Sequence, residues 1–117
     1  MIKTLKIGIA SVSEQRARSL AIASGARARV TGEPNIWFPS VTSMARVLSD
    51  ENMALLKAIR EQHPDSMDAL ALAVGKQASN VSRSLHNMAD YGLVKLNKNG
   101  RIVTPQTTFD HLSVELC

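Results

Sequence analysis

Cysteine is almost absent. Cys117 is the one thiol, so no internal disulfide can form, which fits a reducing compartment. Aromatic residues are nearly as scarce, at 3%, so a core has to be built from Leu, Ile, Val, Met and Ala within a 44% hydrophobic content. No apolar run approaches the roughly 20 residues that span a bilayer. Lys3 and Lys6 precede only a short apolar stretch at 7–10, without a secretory core or cleavage site. A soluble cytoplasmic protein with no membrane association is expected. Catalytic and metal-binding patterns are missing too. His63, His86, His111 and Cys117 lack metal-ligand spacing. Gly75-Lys76 lacks the upstream Gly and following Ser/Thr of a phosphate-binding loop. Asp65 and Asp68, near a helix start, read first as capping residues. No enzyme, cofactor, catalytic residue or metal site is expected.

Positive charge is present, but unevenly. Fourteen Lys and Arg against ten Asp and Glu give a net +4, which suits a polyanionic partner without requiring one. Residues 1–32 hold Lys3, Lys6, Arg16, Arg18, Arg27 and Arg29 against Glu14 alone, whereas from residue 33 onward acids exceed cations by one. A chain of 117 residues is within range for one domain and too short for two full ones.

Leu5-Lys6-Ile7-Gly8-Ile9-Ala10 alternates large apolar with polar or small residues, the period of a strand. Ser11 or Ser13 can cap the helix that follows. Ser11-Val12-Ser13-Glu14 has capping-box spacing, and Gly25 is a natural stop. Ala17, Leu20, Ala21 and Ala23 give that helix a narrow apolar stripe, opposite Arg16 and Arg18. Residues 27–39 contain Gly32-Glu33-Pro34 and Pro39 and look irregular or extended, a linker that Trp37 and Phe38 anchor onto the core. The expected division is therefore a strand-helix unit with its linker at 1–39, for dimerisation or partner binding, and a second domain at 40–117.

From Ser40 the periodicity becomes helical. Val41, Met44, Ala45 and Leu48 form one short apolar face. Ser49 or Asp50 caps a helix that buries Met53, Leu56 and Ile59-Arg60, with Asp50 and Glu51 in its first turn, and Pro64 closes it. Ser66 caps the next helix, which buries Met67, Leu70, Ala71 and Val74 and ends at Gly75. A further helix over about 77–91 turns Val81, Leu85 and Met88 inward and stops at Gly92. Leu93-Val94-Lys95-Leu96 and Arg101-Ile102-Val103-Thr104 read as strands around the turn cluster Asn97-Lys98-Asn99-Gly100. Leu112, Val114 and Leu116 alternate with Ser113 and Glu115 as a last strand. The two terminal strands are candidates for pairing within or between chains, because open strand edges are liabilities.

Two short helices joined through Gly75 and followed by a hairpin specify an α+β fold, a winged helix-turn-helix over residues 49–105, with an added N-terminal strand-helix unit and a C-terminal strand. With Val81, Leu85 and Met88 inward, at about 100° per residue, the outer face of the second helix carries Ser79, Asn80, Arg83, His86 and Asn87. A major groove admits such a helix. Arg83 can pair bidentately with guanine or contact a phosphate. Asn80 can pair with adenine, and Ser79 or Ser82 can bond a base or a phosphate. His86 reads as a phosphate neighbour or a surface residue. Lys76 and Gln77 lie at the helix N-terminus, where the dipole favours phosphate. The tip Lys98-Asn99-Gly100-Arg101 brings Lys98 and Arg101 toward the adjacent minor groove or backbone.

Leu70-Ala71-Leu72-Ala73-Val74-Gly75-Lys76, then Ser79-Asn80-Val81-Ser82-Arg83-Ser84-Leu85, then Tyr91-Gly92-Leu93-Val94, resemble the MarR-like winged-helix regulators of archaea and bacteria. Lys6-Ile7-Gly8-Ile9-Ala10-Ser11, Gly32-Glu33-Pro34 through Trp37-Phe38, and Phe109-Asp110 extend the resemblance over nearly the whole chain, to a subgroup of small DNA-binding proteins that includes TumA-type antitoxins. The resemblance implies double-stranded DNA as a partner. For some members of the subgroup it also implies a cognate toxin encoded alongside; others look like stand-alone regulators. Two expectations follow. One is a homodimeric repressor reading a palindromic operator, such as its own promoter. The other is an antitoxin that covers a toxin with its basic N-terminal region.

Overall fold

The computed structural model describes residues 3–25 and 34–116. In chain order its elements are β1 (Thr4–Ile9), α1 (Val12–Ala23), β2 (Ile36–Phe38), α2 (Val41–Val47), α3 (Asp50–Gln62), α4 (Met67–Val74), α5 (Ala78–Asp90), β3 (Val94–Asn99), β4 (Ile102–Thr107) and β5 (His111–Glu115). They form two compact units, one of Met1–Arg46 with Asp110–Cys117 and one of Val47–Phe109. This division differs from the expected boundary at residue 39. The last strand belongs with the N-terminal unit, because the backbone of β5 finds its hydrogen-bonding partner in β1.

In the first unit β1 lies at the centre of a parallel sheet of order β2-β1-β5. The alternation seen in the sequence sets its faces. Leu5 and Ile7 are buried, and so are Ile36 and Phe38 on β2. Ile7 stands beside both Ile36 and Val114, which carries the apolar face across all three strands. Part of the expected linker is thus a strand, and Phe38 is anchored with no exposed surface. The linker's residues 27–33 lie outside the described residues. The α1 cap is Ser11: its Oγ accepts from Glu14 N at 3.2 Å and donates to Glu14 Oε1 at 3.0 Å.

The apolar stripe expected along α1 is not buried. Among its residues none is buried, and Leu20 is 64% exposed. Alanines cover too little area to seat a helix firmly. Polar contacts fasten α1 instead, with Gln15 Nε2 donating to Ala10 O at 2.7 Å and the Arg18 guanidinium 4.8 Å from the Trp37 ring centre. In α2 the expected inward Val41 is 53% exposed.

In the second unit Ser49 caps α3 through Asn52 N, and Ser66 caps α4 through Ala69 N. The buried positions of α3 are Asn52, Leu55, Leu56, Ala58 and Ile59. Met53 is 42% exposed and Arg60 is exposed, so the expected phase is corrected. Spacing of three, four and seven from Asn52 brings Leu55, Leu56 and Ile59 onto one face, and Met53 lies about 100° away. Asn52 tolerates burial because its amide donates to Val47 O at 2.8 Å. At the end of α4, Gly75 adopts φ 68, a left-handed cap that a side chain would strain. Leu70 and Ala71 are buried as expected, while Met67 and Val74 are half-buried. The hairpin turns at Gly100-Arg101 rather than at the expected cluster, because residues 97–99 continue β3, with Asn99 opposite Ile102. Among the described residues no helix is long and apolar enough to cross a membrane.

Candidate nucleic-acid interface

Five helices and two sheets give a mixed α and β fold among the described residues, whose second unit has the helix, turn, helix and hairpin order of a winged helix. Its functional geometry starts from three buried residues of α5. Val81, Leu85 and Met88 are at most 1% exposed and hold the helix against α4 and β3. The helical repeat then leaves Ser79, Asn80, Arg83, His86 and Asn87 exposed, with Ser82 half-buried at the margin. All six lie on α5, where the sequence placed them.

The helix N-terminus has a distinctive state. Gln77 is the N-cap residue but makes no side-chain cap hydrogen bond. Its carbonyl accepts from Asn80 N and Val81 N. The first-turn N–H groups of α5 therefore have no side-chain acceptor from the cap, which suits an external anion. Lys76, next to this end, is not isolated: its Nζ lies 3.5 Å from Glu51 Oε1. Both partners are substantially exposed, and a pair of this kind contributes only about 0–1 kcal/mol. A phosphate can displace Glu51 at small cost.

Two grooves flank the helix. A cleft of about 390 Å³ brings together Lys76, Gln77, Asn80 and Arg83, with Glu51 and Asn52 from α3. A second groove of about 580 Å³ brings Ser79 and Ser82 alongside Arg101, with Ile102 and Asp68. Arg101 thus lies next to the α5 face rather than apart from it. Lys98 is exposed on the hairpin, opposite Val103. His86 and Asn87 line neither groove and occupy the C-terminal half of the same face.

His86 has a further constraint. Its Nδ1 is 2.8 Å from Ser82 O and 3.4 Å from Ser82 Oγ. A carbonyl only accepts, so Nδ1 carries the proton, and in the neutral ring Nε2 is the acceptor. A neutral His86 would accept hydrogen bonds at its outward nitrogen and not donate to a phosphate.

Sequence reasoning missed several residues of these grooves, Asn52 and Ser84 of the first among them. Glu51 and Asp68 place a carboxylate in each, and Ile102 leaves 54% of its surface exposed beside Arg101. Glu51 and Asp68 were visible only as acids in first helical turns. Their nearness to α5 depends on how three helices pack, which no local pattern encodes.

A family model, HVO_A0114, matches residues 47–114, the whole second unit and most of β5. No curated protein matches the chain. Among solved structures it is similar to the AntR antimony-specific transcriptional repressor, with 19% identity, a TM-score of 0.49, and coverage of 70% of this chain and 78% of that one.

Proposed function

We propose that this chain, which belongs to the HVO_A0114 family, is a sequence-specific DNA-binding transcription regulator that places α5 in the major groove and the β3–β4 hairpin beside it. The observation that carries the reading is the division of α5. Its inner face is sealed by Val81, Leu85 and Met88, and its outer face is entirely polar and exposed, with Arg83 at the centre. Arg83 and Asn80 are the base-reading candidates, and Ser79, Ser82 and Asn87 bond bases or phosphates according to register. Lys76 and Gln77 meet a phosphate at the helix N-terminus, and Lys98 and Arg101 contact the backbone or minor groove. His86 contributes as a neighbour of the backbone. A homodimer would present two α5 helices about 34 Å apart, one DNA turn, and read a palindrome, the chain's own promoter being the first site to test. The protein would then act as a repressor in the cytoplasm.

The second unit is nearly neutral overall, so affinity has to come from a few placed cations. Arg83→Ala is expected to cost about 1–3 kcal/mol on a selected operator and to relax preference at one base pair. Lys98→Ala is expected to weaken binding to every sequence and to lower the salt slope by about one. Fluorescence anisotropy on selected and scrambled duplexes at several salt concentrations measures both. Unchanged affinity in both variants would remove the groove assignment.

A second reading, an antitoxin that covers a toxin with its first unit, draws support from a different observation. Val12, Leu20, Val41, Val114 and Leu116 of that unit are 42–64% exposed, apolar surface available to a partner protein. The TumA-type resemblance points the same way. Co-expression with the product of the adjacent gene tests it, a stable purified complex being the expected result and separate elution the result against it.

A further inference from the structure

We propose that two copies of this chain join along the outer edge of β5, antiparallel about a twofold axis at Ser113, so that their sheets become continuous. The inference deepens the dimeric part of the reading above and rests on that part alone, not on DNA contact.

β5 stands at the end of the strand order β2-β1-β5, and among the described residues no strand lies beyond it. His111 N donates to Lys3 O at 3.1 Å, so the start of β5 faces β1 through His111. Strand backbones alternate with a period of two. Residues 111, 113 and 115 therefore turn their N–H and C=O groups toward β1, and Leu112 and Val114 turn theirs outward. An unpaired edge of this length needs a partner or a blocking device, and β5 carries neither Pro nor Lys.

The strand is complementary to itself. A twofold axis at Ser113 opposes Leu112 to Val114 of the second copy, and Val114 to Leu112. These are the residues with outward backbone groups, so each pair exchanges both hydrogen bonds. The same axis opposes His111 to Glu115 in the closer, non-hydrogen-bonded positions, setting an imidazole N–H against a carboxylate. Both of these side chains are exposed, and Glu115 can meet the second copy's His111 while its Oε1 stays 3.6 Å from Lys6 Nζ of its own chain. A register centred one residue later opposes Ser113 to Glu115 and loses the His111 pairing.

The sheet's apolar face gives a second argument for a further copy. Leu112 aligns with Leu5 and Val114 with Ile7, on the face that buries Leu5, Ile7, Ile36 and Phe38. Cover runs out at the edge, where Val114 is 42% exposed. Parallel sheets are ordinarily covered on both faces. A second copy's Leu112 and Val114 extend the same apolar surface across the seam.

Sedimentation of the full chain over nanomolar to high-micromolar concentration tests the seam. The wild type is expected at twice the chain mass. Val114→Pro removes an outward N–H that β1 does not use, and Pro is tolerated on an edge strand. It is expected to weaken dimerisation about tenfold or more, through the hydrogen bonds lost at both ends of the seam. His111→Glu sets carboxylate against carboxylate and is expected to weaken dimerisation as well, and adding Glu115→His in the same chain to restore it. Far-ultraviolet circular dichroism and Trp37 emission confirm that each variant is folded. A wild type that is monomeric throughout, a Val114→Pro chain that dimerises like the wild type, or a double variant that is not restored would each overturn the proposal. A dimer that obeys these variants yet binds no selected DNA would sink the regulator reading and leave the seam standing.

Discussion

Leu85→Ala is expected to destabilise the second unit by about 2–5 kcal/mol. Leu85 has no exposed surface and lies on α5 between Val81 and Met88, which are also sealed. The two spacings, of four and three, put the helix's buried residues into one narrow stripe, facing α4 and β3. Leu70, Leu93 and Val94 are likewise almost wholly buried. The loss therefore combines missing transfer energy with a cavity. Against a typical domain stability of about 5–15 kcal/mol, it brings the unit close to unfolding. Urea denaturation followed by circular dichroism reads the change directly. Any DNA affinity should fall for all sequences together, since the variant loosens the helix that carries every reading group. Arg83→Ala should leave the urea midpoint unchanged, because Arg83 is exposed. A Leu85→Ala cost below about 1 kcal/mol, the ordinary size of a point-mutant effect, would contradict this account of what holds α5.

The second large effect is expected at Gly8, on the central strand of the first unit. A Cβ built there stands 2.7 Å from Pro34 Cγ and 2.8 Å from Trp37 Cζ3, closer than real Cβ atoms approach their neighbours. Trp37 is paired across the strands with Gly8, and the Arg18 guanidinium lies over its ring. The absent side chain of Gly8 thus makes room for a ring that also ties α1 to the sheet. Neither strand can withdraw easily, because β1 is bonded to β2 on one side and β5 on the other. Gly8→Val is expected to cost about 1–3 kcal/mol or more, the range for overpacking. Trp37 is the only tryptophan, so its emission reports this contact without labelling. A red shift and lower protection of the β1 amides are expected. Unchanged emission together with an unchanged thermal midpoint would show that Gly8 is not required for Trp37 to pack.

The same two side chains show what residue patterns could and could not reveal. Leu85 was legible because a helix repeats every three to four residues. Its partners Val81 and Met88 declare the buried face within one stretch of chain, and the outer face with Arg83 follows by geometry. The contact between Gly8 and Trp37 was not legible, because it joins residues far apart in sequence. Trp37 was recognised only as an anchor. Met53 illustrates a closer failure: apolar character alone favoured it over Asn52, although the amide of Asn52 reaches Val47 O and makes burial tolerable.

The winged-helix unit was determined by the sequence itself. Ser49 and Ser66 as caps, Gly75 as a left-handed stop, the stripe of Val81, Leu85 and Met88, and a hairpin after Gly92 are all local, and local hydrogen bonding and periodicity are written in adjacent residues. Tertiary structure alone decided three things. It paired Lys76 with Glu51, brought Arg101 beside Ser79 and Ser82, and returned β5 to lie parallel with β1 at the opposite end of the chain. Alternating side chains show that a segment is a strand, but any strand's N–H and C=O groups fit any other's. Which edge it joins, and which edge it leaves open, is settled only when the whole chain competes for partners.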